Sequence, residues 1–302
     1  MTFKTVNINS YDLIDHLDTN IFDGQFSSDV NIVELKNSYI DQINLQTNDI
    51  CENEHGDLII GKNLDWDSNY FGFNCYRIDY LKLINHNLIE QEIDTYLSSK
   101  NVKLAFLRMN ANDHLNFCFH NNLRLMSTKL MYKISLENKD KKVSRLIRTL
   151  NEFENVEKKN ILDRIISIVP DLFSHNRFIY DKNIDDNKAI GLYQSWIVNS
   201  AKKYQNNFYL LIDDAGELGA FCIINIIDIF NNKFAIINII GYLIKGKNYG
   251  TIIIQEIIKS LNEQNISILY ANVELRNYTA QNLYIKNGFK VYNSICEYHY
   301  WM

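Results

Sequence analysis

The most apolar stretch of the chain, residues 221–244, is broken near its middle by Asp228, Asn231, Asn232 and Lys233. A membrane helix would hold those groups close to mid-bilayer, at roughly 2.5 to 3.5 kcal/mol for each charged one. Two strands joined at Asn231-Asn232 avoid that cost, because asparagine tolerates the positive φ of a two-residue hairpin turn. The stretch therefore predicts a hairpin, 217–229 returning through 234–243, and no membrane span. Helices and further strands are expected on either side of it in the sequence.

The flanking sequence supplies them. Residues 143–150 alternate like a strand, and a helix around 161–168 is expected to end near Pro170. Ala189, Tyr193, Trp196, Ile197 and Ser200 share one face of a second helix over 187–202. Residues 207–212 read as a strand and 213–216 as a turn. Beyond the hairpin, 251–261 puts Ile254, Ile257, Ile258 and Leu261 on one helical stripe. Residues 266–274 read as a strand and 278–287 as a helix closed by Gly288, with two final strands to Met302. The predicted order is β-α-α-β-β-β-α-β-α-β-β. It describes an α/β (α+β) domain over 143–302 with a mixed, mostly antiparallel sheet flanked by helices.

A net charge of −5 argues against a strongly basic nucleic-acid binder. Cys51, Cys75, Cys118, Cys222 and Cys296 are odd in number, widely spaced and free of Cys-x-x-Cys pairs, which fits reduced thiols rather than disulfides or a zinc site. Residues 1–10 show no basic region followed by an apolar one, so no secretory signal is expected and the chain reads as cytoplasmic, with no metal.

The first half, 1–138, is weaker in pattern. Residues 57–61, 75–83, 104–109 and 123–134 are strand-like, 88–97 and 113–120 helix-like, and a helix capped by Ser10 is compatible with the start. The break between halves is expected in the charged segment 137–142. Laying Leu104-Ala105-Phe106-Leu107 over Tyr270-Ala271-Asn272-Val273 also lays Phe117-Cys118 over Leu283-Tyr284, and Asn121-Asn122-Leu123 over Asn287-Gly288-Phe289. Either the first half is a degenerate copy of the second, or both share a common strand-helix-strand pattern by chance. The same shift puts 79–84, without glycine, over 245–250.

Two motifs carry chemistry. Lys245-Gly246-Lys247-Asn248-Tyr249-Gly250 joins a strand to a helix near Thr251; such a loop aims unpaired amides and the helix dipole at one spot, a place for pyrophosphate. Taken alone, it is also an ordinary connector with exposed lysines. Asn277-x-x-Ala280-x-x-Leu283-Tyr284, followed by Gly288-Phe289, puts Ala280 and Tyr284 on one helix face with Asn277 as a cap. Taken alone, that is also a packed core face.

In this order the two motifs resemble the GNAT acetyltransferase superfamily over residues 143–302. The resemblance implies that the loop, with Leu243, Lys245 to Thr251, Asn277, Ala280 and Tyr284, binds acetyl-coenzyme A. Lys245 stands where the family has arginine and Asn248 where it has a glycine, while Gly250 is kept. Trp66-Asp67-Ser68-Asn69-Tyr70-Phe71-Gly72, Arg177-Phe178-x-x-Asp181, Leu192-Tyr193-x-x-Trp196 and Tyr298-His299-Tyr300-Trp301 resemble dTDP-fucosamine acetyltransferases in particular. The resemblance implies N-acetylation of a dTDP-4-amino-4,6-dideoxygalactose in polysaccharide synthesis. Trp66, Phe71, Arg177 and Asp181 would then lie around the sugar nucleotide, and a homodimer is compatible with it. Tyr284 would be the general acid by the same resemblance, with Glu274, His299 or a water chain as base. Another amine acceptor (an aminoglycoside, a polyamine or a protein N-terminus) and a non-catalytic acyl-coenzyme A module remain open alternatives.

Overall fold

In the computed structural model the apolar stretch forms the expected hairpin, but Asn232 does not take a positive-φ turn position: it begins the returning strand, opposite Ile229. β9 (Leu218–Ile229) and β10 (Asn232–Tyr242) pair antiparallel, with Ile237 opposite Ile224 and Gly241 opposite Phe221. Residues 4–5, 49–52, 56, 58–82, 89–110, 123–136, 147–229 and 232–302 are the ones the structure describes. Outside them fall the Ser10 helix, the helix at 113–120 with the Cys118 thiol, the charged break at 137–142, the start of the strand expected over 143–150, and Asn231 of the turn.

Two compact units divide the chain: Met1–Thr128 together with Asn293–Met302, and Lys129–Tyr292. This differs from the division along the sequence into 1–138 and 143–302. The difference arises because the strand that closes each half pairs within the other unit. Residues 129–135 of β6 (Leu123–Ser135) pair antiparallel with β11 (Ile268–Glu274), and residues 295–301 of β12 (Lys290–Trp301) pair antiparallel with β5 (Leu104–Asn110).

In the second unit the strand order is β6-β11-β10-β9, then β8 (Phe208–Ile212) and β7 (Ile147–Thr149). All neighbours are antiparallel except β10 and β11. Along β9, Cys222 and Ile224 turn to one core and Phe221 and Ile223 to the other, which is why the strand reads as a continuous apolar run. The first core is closed by α6 (Tyr249–Glu263), whose Ile253, Ile254, Ile257 and Leu261 are fully buried, each contributing about 1.5–3 kcal/mol. The second is closed by Ile165 of α3 (Asn155–Ser167), Val169 of α4 (Val169–Leu172) and Ile197 of α5 (Asp186–Lys203). α3 ends at Ser167, near Pro170 as expected, and Pro170 itself lies in the first turn of α4, where a missing N–H costs nothing. The two final strands expected before Met302 are one, β12.

The first unit has the order β1 (Lys4–Thr5), β2 (Asp49–Glu52), β3 (Leu58–Asn63), β4 (Cys75–Lys82), β5 and the end of β12. Only β4 and β5 are parallel. Its core joins Ile59, Ile78, Leu107 and Tyr298 to Ile93, Tyr96 and Leu97 of α2 (Ile89–Ser99). The Trp66 segment forms a helix, α1 (Asp65–Phe71), closed by Gly72 in the left-handed region. Among the described residues no helix is long and apolar enough to cross a membrane.

Candidate active site

β10 and β11 run in parallel register for four pairs only, from Phe234 opposite Ile268 to Ile237 opposite Ala271. Both continue beyond, β10 to Tyr242 and β11 to Glu274, without pairing to each other. The parting begins at a bulge: Ile237 faces Ile224 and Ile239 faces Ile223, so Asn238 is the extra residue on β10. A bulge bends its strand and increases its twist, and here it turns β10 away from β11. The edge of β10 that leaves β11 has no strand partner beyond Ile237 among the described residues.

From β10 the chain passes through Leu243, whose amide donates to Gly219 O at 2.8 Å, into the loop 244–248. Lys245, Gly246, Lys247 and Asn248 are exposed. Gly246 has φ 81, a conformation that side chains resist. Asn248 takes the left-handed region too, at φ 57, and starts α6 two residues earlier than its apolar stripe suggests. Its carbonyl already accepts from Thr251 and Ile252, and its side chain makes no cap. The amides of Tyr249 and Gly250 therefore point out of the helix without an intrahelical acceptor. A Cβ on Gly250 would come within 3.3–3.4 Å of the Leu283 methyls of α7 (Tyr278–Lys286), so the loop and α7 approach closely only through glycine. Tyr249 is anchored sideways, its hydroxyl donating to Asp213 Oδ2 at 2.8 Å.

α7 begins as its sequence requires. Asn277 Oδ1 accepts from the Ala280 amide at 3.0 Å, and Gly288 beyond the far end has φ 88. Ala280 and Leu283 pack on the core under β10 and β11. Tyr284 is buried (3 % exposed), its ring 5.8 Å from Tyr132 and 5.0 Å from Phe289. Burial pushes the phenol well above the ordinary tyrosine range, and the nearby Cys222 thiol adds to the shift. Cys222 faces Ile240, in the stretch of β10 that has left β11. The structure thus gathers the loop 245–251, Asn277, Ala280 and Tyr284 in one unit. Glu274, half-buried, ends β11 in the same unit.

The remaining sequence candidates are scattered. Arg177 and Asp181 belong to the second unit, Trp66, Phe71 and His299 to the first. Asp181 is fully buried and its Oδ1 accepts from the Asn183 amide at 3.0 Å, so it shapes a turn. Arg177 lies over the Phe178 ring at 4.7 Å. Phe71 is buried against Phe73, whereas Trp66 is 39 % exposed and stacks on Tyr70 at 6.0 Å. His299 is fully buried, edge-on to Phe106 at 5.0 Å. Two features escaped the sequence. The Tyr249–Asp213 anchor joins a helix start to a distant turn. A cluster of Tyr180, His175 and Arg276 joins two loops, and only the arginine beside the predicted Asn277 cap hinted at it. Among the described residues no group of three or more His, Cys, Asp or Glu could hold a metal ion.

This arrangement lies within a fold shared with solved acetyltransferases. A GCN5-related N-acetyltransferase from Sphaerobacter thermophilus superposes with a TM-score of 0.59 over 98 % of this chain and 95 % of that chain, at 12 % identity. The GCN5-related glucosamine N-acetyltransferase region of a fungal multi-domain GH3 β-N-acetylglucosaminidase gives 0.56 over 99 % of this chain and 38 % of that chain, at 14 % identity. A tandem GNAT protein from the clavulanic acid biosynthesis pathway, solved without acetyl-coenzyme A, gives 0.52 over 99 % and 97 %, at 8 % identity. No protein-family model matches the sequence, and neither does any curated protein. At such identities what is shared is the fold. It is the GNAT fold, with a mixed sheet flanked by helices and a tandem GNAT-like arrangement.

Proposed function

We propose that the chain is an acetyl-coenzyme A-dependent N-acetyltransferase acting by direct transfer, and that its acceptor is the amine of a nucleotide-linked amino sugar of the dTDP-4-amino-4,6-dideoxyhexose type. The observation that carries it is the parting of β10 and β11 after Ile237 and Ala271, directly followed by the loop into α6. An extended pantetheine arm fits such a gap as an added strand, because the free edge of β10 offers backbone donors and acceptors. The out-turned amides of Tyr249 and Gly250, with Lys245 and Lys247 exposed beside them, suit a diphosphate. When bound, the coenzyme supplies the activated thioester carbonyl.

The chain's own groups then have separable tasks. Holding the distal diphosphate positions the reacting end, so binding energy far from the chemistry is converted into orientation. Backbone N–H groups on the free edge of β10 stabilise negative charge growing on the carbonyl oxygen. Tyr284 keeps its proton, because burial raises its pKa. A thiol's reference value is about 8.5, so complete transfer from that phenol is uphill, and its task is to donate a hydrogen bond to the departing sulfur. Glu274, the last residue of β11, takes the amine proton in this reading, directly or through water. In this account Arg177, in the same unit as the loop, offers a cation to the acceptor, and Asp181 holds its segment in shape.

Incubating the protein with acetyl-coenzyme A and a panel of amines, while following free thiol, tests this directly. Release with dTDP-linked 4-amino sugars and not with polyamines or aminoglycosides is the expected result. Release with another amine class alone would remove the sugar nucleotide, and no release with any amine would leave a coenzyme-binding module.

A further inference from the structure

The loop between α4 and α5 meets the loop between β11 and α7 at an exposed ring. The Arg276 guanidinium lies over the Tyr180 ring at 4.6 Å from its centroid, and the Tyr180 hydroxyl is 3.2 Å from His175 Nδ1. Both loops are fixed from within. Asn176 Oδ1 accepts from the Phe178 and Ile179 amides at 2.8 and 3.1 Å, and its Nδ2 donates to Phe173 O. On the other side Gln281 Nε2 donates to Leu275 O at 2.6 Å and to Glu274 O at 3.3 Å. Arg276 is exposed, and among the described residues no carboxylate pairs with it.

A guanidinium held on an aromatic face has already lost much of its rotamer freedom, and without a counter-ion it has no ion pair to break when an anion arrives. The hydrogen bond to the Tyr180 hydroxyl engages His175 Nδ1, and in the tautomer whose Nδ1 accepts, the hydrogen on Nε2 adds a second donor. The exposed Leu275 and Tyr278 on either side of Arg276 and Asn277 add apolar surface, which suits a phosphate carried on a nucleoside better than a bare ion. We infer that Arg276, His175 and Tyr180 form a phosphate-recognition site at the carboxyl end of β11. It rests on the proposed acetyl transfer only for the phosphate's source: the diphosphate of the nucleotide-linked acceptor, or the 3′-phosphate of the coenzyme. Arg177, on the same loop as Tyr180, lies over Phe178 instead and has no part in it.

Calorimetry on the full chain separates the sources, using thymidine diphosphate, coenzyme A and dephospho-coenzyme A as probes. Arg276→Gln is expected to weaken at least one phosphate probe more than tenfold with an unchanged thermal midpoint. Arg276→Lys should recover part of the loss, and Tyr180→Leu should weaken the same probe. Loss confined to thymidine diphosphate assigns the site to the acceptor. Loss for coenzyme A but not for its dephospho form assigns it to the 3′-phosphate. Wild-type affinity of Arg276→Gln for all three probes, or no binding of any probe by the wild type, overturns the site. Thiol release by the wild-type protein is scored separately, so phosphate affinity that depends on Arg276 without acetyl transfer would sink the enzyme and keep the site.

Discussion

The two units contain the same local device. In the first, Cys75 to Ile78 of β4 pair in parallel with Leu104 to Leu107 of β5, four pairs in all, and Asp79 is the bulged residue against β3. In the second, Phe234 to Ile237 pair with Ile268 to Ala271, again four pairs, and Asn238 is the bulged residue against β9. A bulge one residue after a four-pair parallel ladder, in both units, is structural support for an internal repeat. Past the bulge the two strands diverge in character. β10 leads into the exposed lysine-glycine loop and the start of α6, with Tyr284 beneath. β4 instead carries Asp79 in an ion pair with Arg77 at 2.6 Å, next to Lys62, whose pKa is lowered by burial and then by Arg77. The parting of strands is thus common property of the fold. Specific chemistry, on the proposed reading, comes from the loop and the phenol added to one copy.

The sharpest way to break that comparison is Tyr284→Phe. Turnover is expected to fall about 100-fold or more, the range for losing a hydrogen-bond donor to negative charge that develops in the transition state, while coenzyme affinity stays within a factor of two or so. Equal turnover would make the two units equivalent as far as this phenol is concerned. Next is Gly250→Leu. Leu283 must give way to any side chain there, and the loop is expected to shift, weakening coenzyme A by roughly tenfold in calorimetry. Unchanged affinity would place the coenzyme elsewhere, the first unit included.

How far the sequence reaches is clear from the same elements. Periodicity located β9, β10, α6, β11 and α7 to within about two residues, because each has a strong apolar stripe and local punctuation. The Asn277 cap and the positive φ of Gly288 were legible for the same reason. The exchange of closing strands was not, since it depends on pairings between residues as distant as Leu104 and Trp301. α1 escaped because Asp65, Ser68 and Asn69 are weak helix formers; its far end is set by Gly72, and its middle is tied to β4 by the Cys75 amide donating to Ser68 Oγ at 2.8 Å. Apolar types alone lay Leu104 over Tyr270, whereas the ladders align it with Ile268, two residues away. The Tyr180–Arg276 contact joins loops that no periodic signal connects.

A smaller effect is expected from Asp79→Asn, which gives the first unit an amide at its bulge as in the second. The pair it breaks is only half-buried, so stability should drop by less than about 1 kcal/mol, and coenzyme A affinity should not move. A change in that affinity would mean that the first unit's gap takes part in holding the coenzyme.

The smallest effect concerns how the loop is pinned. The Asp213 carboxylate is held below the ordinary aspartate range, first by the Glu217 amide and then by the Tyr249 hydroxyl. A carboxyl with a depressed folded-state pKa contributes its full stabilisation above the unfolded value and loses it as pH falls through the folded one. Tyr249→Phe removes the hydroxyl's share. At neutral pH the variant should therefore bind coenzyme A slightly less well than the wild type. On acidification below the usual aspartate range the two should converge, as protonation of Asp213 weakens the same anchor in both. The group is exposed, so the difference is expected to stay within a few-fold, readable as two calorimetric curves that meet at low pH. Curves that run parallel across the whole range would show that Asp213 does not hold the start of α6, and would leave the loop positioned by Gly246, Asn248 and Gly250 alone.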